Sequence, residues 1–105
     1  MRRIVTLSLA LSGCALILLS GCSRTSDYMP SGDATGEQIF KEACVQCHTP
    51  VNGNVMVLKA EMANPEAIIE RVRNGKGMGM PAFRNLMGDS VESLANYVLE
   101  NSATQ

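Results

Sequence analysis

The chain has 105 residues, 46% of them hydrophobic, with nine basic and ten acidic side chains and a formal charge of −1. That length allows one small domain, and without a basic excess nothing suggests a nucleic-acid partner held through its phosphates. Two tyrosines, two phenylalanines and no tryptophan leave little bulk for a core, so a domain this small is marginal unaided.

Met1-Arg2-Arg3 is followed by an apolar run from Ile4 to Leu19, broken only by Thr6, Ser8, Ser12, Gly13 and Cys14. A basic start and an apolar stretch of this length read as a secretory signal. A membrane span needs about 20 apolar residues, more than the run supplies. Its end, Leu19-Ser20-Gly21-Cys22, resembles the lipobox of bacterial lipoproteins. The resemblance implies a signal peptide over 1–21 and an acylated Cys22 as the new N-terminus. Leu11-Ser12-Gly13-Cys14 spells the same residues but leaves only Ile4 to Ala10 as apolar core. Ordinary cleavage nearby, which would leave Cys22 as a stray thiol or remove it, is the competing reading. Several acyl chains would hold the protein on a periplasm-facing membrane surface of the cell envelope. Serine after Cys22 resembles the outer-membrane sorting pattern of Gram-negative bacteria.

Cleavage before Cys22 leaves 84 residues with seven basic and ten acidic side chains, a formal charge of −3. Ser23 to Gly32 is polar, with Pro30 and Gly32 near its end, so residues 22–32 read as a flexible tether. Ten flexible residues span about 17–19 Å on average and at most about 35 Å. The folded domain, residues 33–105, is thus expected close to its membrane with some freedom to swing.

The first folded element is expected from Asp33 to Cys47, with Asp33 or Thr35 as N-cap and Glu37 in the first turn. Gly36, Phe40 and Cys44 recur every four residues and share one helical face. A glycine there costs up to about 1 kcal/mol relative to alanine, which suggests a second helix passing close by. This element runs into Cys44-Val45-Gln46-Cys47-His48, and Cys-x-x-Cys-His is the attachment signature of c-type haem. The two thiols would form thioethers with the porphyrin, and the histidine would become an axial iron ligand. A zinc site needs four ligands, but His48 is the only histidine and Cys14 and Cys22 lie far upstream. A thioredoxin-like dithiol would need a βαβ setting, and no strand-like alternation precedes Cys44.

Asn64 as N-cap, Pro65 at the first helical position and Gly75 after Asn74 delimit a second helix. Ala67, Ile68, Ile69 and Val72 form its apolar stripe, and Glu66, Glu70, Arg71 and Arg73 point to water. Then comes a glycine-rich loop, Asn74-Gly75-Lys76-Gly77-Met78-Gly79-Met80-Pro81-Ala82-Phe83. The last helix is expected from Ser90 to Glu100, capped by Asp89 with Glu92 completing a capping box. Its buried face is Val91, Leu94, Ala95, Tyr97 and Val98. No stretch argues for a substantial sheet, so the fold class is all-α.

These features resemble the small class I monohaem cytochromes c, the bacterial and c6-type carriers, over residues 33–101. Gly36 and Phe40 match the N-terminal helix of that family, Leu94 and Tyr97 the C-terminal helix that crosses it, and Gly79-Met80-Pro81-Ala82-Phe83 its methionine loop. The resemblance implies three or more helices around one covalently bound haem c. Many members carry a Gly-Pro after the haem motif; here Pro50 follows at once and no proline recurs before Pro65.

With a single histidine, the second axial position falls to methionine, lysine, water or nothing. Met56, Met62 and Met87 read as packing residues, whereas Met78 and Met80 share the glycine-rich loop. Pro81 stiffens the chain directly after Met80, and the family resemblance also selects Met80. A His48–Met80 iron would be saturated, which favours an electron carrier over an enzyme. Expected partners are redox proteins docking at the exposed haem edge. Arg73, Lys76 and Arg84 are candidates for a haem propionate or a partner, or are simply solvated. A fixed haem subunit of an oxidoreductase complex, or a haem enzyme or gas sensor with a labile Met80, are the alternatives.

Overall fold

A computed structural model describes residues 24–105. The signal peptide expected over 1–21, Cys14 and the lipidation candidate Cys22 lie outside the described residues. Helix α1 spans Gly36–Ala43, strand β1 Val57–Leu58, a 3-10 turn Ala60–Met62, helix α2 Pro65–Asn74, helix α3 Asp89–Glu100 and strand β2 Ala103–Thr104. Helices dominate as the sequence leads one to expect. The two strands are only two residues each, paired in parallel as Val57 with Ala103 and Leu58 with Thr104. Among the described residues no helix is long and apolar enough to cross a membrane.

Helix α1 is shorter than the expected 33–47 because both ends are closed by local hydrogen bonds. Thr35 Oγ1 accepts from the Gln38 N–H at 3.2 Å and Gln38 Oε1 accepts from the Thr35 N–H at 2.8 Å, a reciprocal capping box. Cys44 then leaves the helix as its C-cap, its N–H donating to the Phe40 carbonyl at 2.9 Å. The glycine on the apolar face has the expected cause. A Cβ at Gly36 would collide with the Ser93 carbonyl and sit 2.7 Å from the Tyr97 Cβ, so α1 and α3 cross backbone to backbone. Phe40 and Tyr97 meet beside that crossing with ring centroids 5.8 Å apart, a tilted aromatic pair.

Helix α2 follows the reading closely. Asn64 accepts from the Ala67 N–H at 2.8 Å, Pro65 opens the helix, and the Gly75 N–H donates to the Arg71 carbonyl at φ +70°. Helix α3 departs from it. It begins at Asp89, with Gly88 as N-cap at φ +58° and no side-chain cap. Asp89 therefore lies inside the first turn, where its carboxylate still meets the positive helix end. Ser90 Oγ instead accepts from the Met87 N–H at 3.3 Å and donates to the Met87 carbonyl at 2.8 Å. Ile39, Phe40, Ile68, Val72, Phe83, Leu86, Leu94 and Val98 form one core among the three helices and the loop before α3.

The connection from the haem motif to β1 turns at Asn52-Gly53, both at positive φ, with Val51 and Asn54 exchanging backbone hydrogen bonds of 2.9 and 3.0 Å. This is a two-residue turn of the kind Asn-Gly favours. Residues 24–28 also depart from the sequence reading. Polar composition suggests a swinging tether, yet Thr25 pairs with Ala82 in a parallel bridge and the Tyr28 hydroxyl donates to Glu42 Oε2 at 2.7 Å. Composition does not register such contacts, because backbone groups make most of them.

Candidate haem site

Cys44, Cys47 and His48 are held together by one carbonyl. The Cys47 and His48 N–H groups both donate to the Cys44 oxygen, at 3.2 and 2.8 Å. The pentapeptide is thus a tight turn at the C-terminal end of α1, where the crossing with α3 fixes its direction. Cys44 is half-buried and Cys47 exposed, and neither is paired in a disulfide among the described residues. Burial, with the neighbouring Cys47 adding to it, pushes the Cys44 thiol up to about 11. A redox-active dithiol needs a lowered thiol, so the shift runs against that reading.

Met80 comes from a loop that closes on itself. The Lys76 N–H donates to the Met80 carbonyl at 2.8 Å and the Met80 N–H returns to the Lys76 carbonyl at 3.2 Å. Gly75 is the hinge. It lies at φ +70° and ψ −168°, a region open essentially to glycine alone, and a Cβ there would sit 2.8 Å from the Ala82 nitrogen. The Phe83 N–H donates to the Val72 carbonyl at 2.8 Å and fastens the far end of the loop to α2.

Two clefts border these residues, and Cys44, His48 and Met80 line both. The first, of about 280 Å³, has apolar walls that include Phe40, Leu58, Ile68, Val72, Leu94 and Val98. The second, of about 500 Å³, adds Cys47, Pro81 and Phe83. Met78 is 66% exposed and lines neither. Two thiols, one imidazole and one thioether converging on an apolar slot fit a covalently held porphyrin iron. No group of three or more His, Cys, Asp or Glu side chains among the described residues could hold a bare metal ion.

The cationic candidates separate. Arg73 is committed elsewhere, its Nη1 donating to the Leu86 carbonyl at 2.7 Å. Arg84 is exposed and lines neither cleft, whereas Lys76 lines the first. Arg71, which helical periodicity turned toward water, lines that cleft too, together with Lys59 and Glu61. Its signal was its place between Ile68 and Val72, at the edge of the apolar stripe. Met56 and Met62, read as packing residues, pack against the core and also line the first cleft.

The chain is similar to known cytochromes. The family described as cytochrome c oxidase, cbb3-type, subunit III matches residues 31–98. Cytochrome c6 of Cyanidioschyzon merolae is 41% identical over 75 residues, covering 63% of this chain and 71% of the relative. Cytochrome c6 of Leptolyngbya boryana is 35% identical over 79 residues, or 66% and 92%. That of Gloeothece citriformis is 34% identical over 96 residues, 82% of this chain and 86% of its own. No solved structure matches the chain.

Proposed function

Because the chain belongs to the class I monohaem cytochromes c, a family of electron carriers with one covalently bound haem c, we propose that it carries single electrons between redox proteins while anchored to a membrane through Cys22. When bound, the haem supplies an iron that changes oxidation state by one electron. Cys44 and Cys47 would hold it through thioethers, and His48 and Met80 would be the protein ligands of its iron. The observation that supports this most is that Cys44, His48 and Met80 line both clefts while Met78 lines neither. With both residues on the iron, no site would be open to a substrate, and a methionine–histidine pair would raise the reduction potential. The apolar walls from Phe40, Leu58, Ile68 and Leu94 would pack against the porphyrin. Substituting Met80→Ala is expected to abolish the methionine-to-iron charge-transfer absorption of the oxidised protein. Survival of that band means that another residue is the ligand.

Anchoring has its own test. Cys22→Ala should move the protein from the membrane to the soluble fraction, and intact-mass measurement of the unaltered protein should show acylation. Arg24, two residues after Cys22, pairs with the methionine loop. Two residues reach at most about 7 Å, so an anchored domain stands with that loop next to the membrane. The match to an oxidase subunit favours one second reading, a fixed haem subunit of a larger complex. Purification in mild detergent separates the two, since a carrier emerges alone.

A further inference from the structure

Residues 24–28 tie together the two segments that carry the axial-ligand candidates. The Ala82 N–H donates to the Arg24 carbonyl at 2.8 Å, and the Ser26 N–H donates to the Ala82 carbonyl at 2.9 Å. Arg24 Nη2 donates to the Gly79 carbonyl at 3.2 Å. These bonds flank Met80 on both sides. Two residues further, the Tyr28 hydroxyl donates to Glu42 Oε2 at 2.7 Å, two positions before Cys44. Arg24, Ser26 and Tyr28 consequently line the second cleft with Cys47, His48 and Met80.

The loop needs such a hold. Between Lys76 and Gly79 it is exposed, and Gly75 and Gly77 both lie at positive φ. Its internal fastening is the pair of hydrogen bonds between Lys76 and Met80. Groups behind a metal ligand orient it and set how readily it leaves. We propose that residues 24–28 form a strap that fixes the methionine loop against the haem-attachment helix, with Arg24, Ser26 and Tyr28 as positioning residues that keep Met80 on the iron. The proposal rests on the His48–Met80 reading given above. The strap acts by raising the cost of swinging the loop outward, which must precede replacement of the thioether by an outside ligand.

The test titrates imidazole against the methionine-to-iron charge-transfer absorption in full-length oxidised holoprotein. Ser26→Pro removes the amide that donates to Ala82, and Tyr28→Phe removes the tie to Glu42. With both changes, half-displacement is expected at about tenfold lower imidazole, the factor carried by one or two net hydrogen bonds. The absorption without imidazole should be kept. Amide hydrogen exchange at Ala82 should quicken, while exchange at Cys47 and His48 stays as it was. Arg24→Ala, at an exposed position, gives a smaller shift of the same sign and serves if the double variant does not fold. An unchanged imidazole midpoint beside quickened exchange at Ala82 overturns the proposal, since the strap would then only pack. Absence of the absorption in the unaltered protein overturns the Met80 reading, and is told apart because it precedes any substitution.

Discussion

The haem-attachment turn and the methionine loop carry the candidate iron ligands, yet they are held in different ways. Cys44 to His48 is organised from within: two amides converge on the Cys44 carbonyl, and α1 delivers the turn ready-made. Lys76 to Phe83 adds outside partners to its internal Lys76–Met80 pair: Val72 on α2 and Arg24 and Ser26 on the N-terminal segment. Local hydrogen bonds place a ligand with a few residues, whereas a glycine-rich loop must borrow rigidity from elements distant in sequence. On the proposed ligation, the turn is the rigid side of the site and the loop the adjustable one.

The largest expected effect strikes the rigid side. Phe40→Ala removes a fully buried ring from the α1–α3 crossing and should cost about 3–5 kcal/mol, read as a lowered denaturation midpoint of the holoprotein. A loss well under that would mean that the crossing does not carry the turn. Gly75→Ala attacks the adjustable side alone. The hinge conformation and the contact with the loop backbone make about 1–3 kcal/mol the expected loss, with the methionine-to-iron absorption weakened and both thioethers intact by mass. If the absorption and the stability are both unchanged, the loop is less constrained than its backbone implies.

Smaller changes sharpen the contrast. Asn64→Ala deletes the cap of α2 at a cost of about 1 kcal/mol and should leave the spectrum untouched, because the cap lies at the end of α2 remote from the loop. The smallest effect is a pH dependence at Tyr28. Burial first, and the hydrogen bond and charge of Glu42 after it, raise its hydroxyl above the usual tyrosine range. The unfolded chain ionises near the ordinary value of about 10 while the folded chain stays protonated. This contribution is therefore fully present below that pH and declines as pH rises toward the folded value. Denaturation midpoints of the unaltered protein and Tyr28→Phe should converge as pH is raised above about 10, and a constant gap would mean that Tyr28 does not titrate with folding.

Much of the site was legible because its signals are local. Cys-x-x-Cys-His within five residues, Asn64-Pro65 opening α2, and Gly36 spaced four from Phe40 each encode a short-range geometry. Where one residue changes the phase, the reading slips: Gly88 adopts a left-handed φ and starts α3 one residue early, so the cap expected at Asp89 does not form. Arg71 and Arg73 exchanged roles for a related reason. Periodicity sets the angle of a side chain around a helix, but not the carbonyl of Leu86 that one of them meets.

The sequence by itself determined the cofactor and the helical class and named the candidate iron ligands, since spacing and residue type suffice for these. The tertiary structure added that Met80, and not Met78, lines the clefts, and that residues 24–28, read from composition as part of a tether, are bonded to the methionine loop and to Glu42. The backbone bonds of Arg24 and Ser26 to Ala82 join segments more than fifty residues apart. Such bonds use N–H and C=O groups common to most residues, so they leave no mark in the order of the side chains.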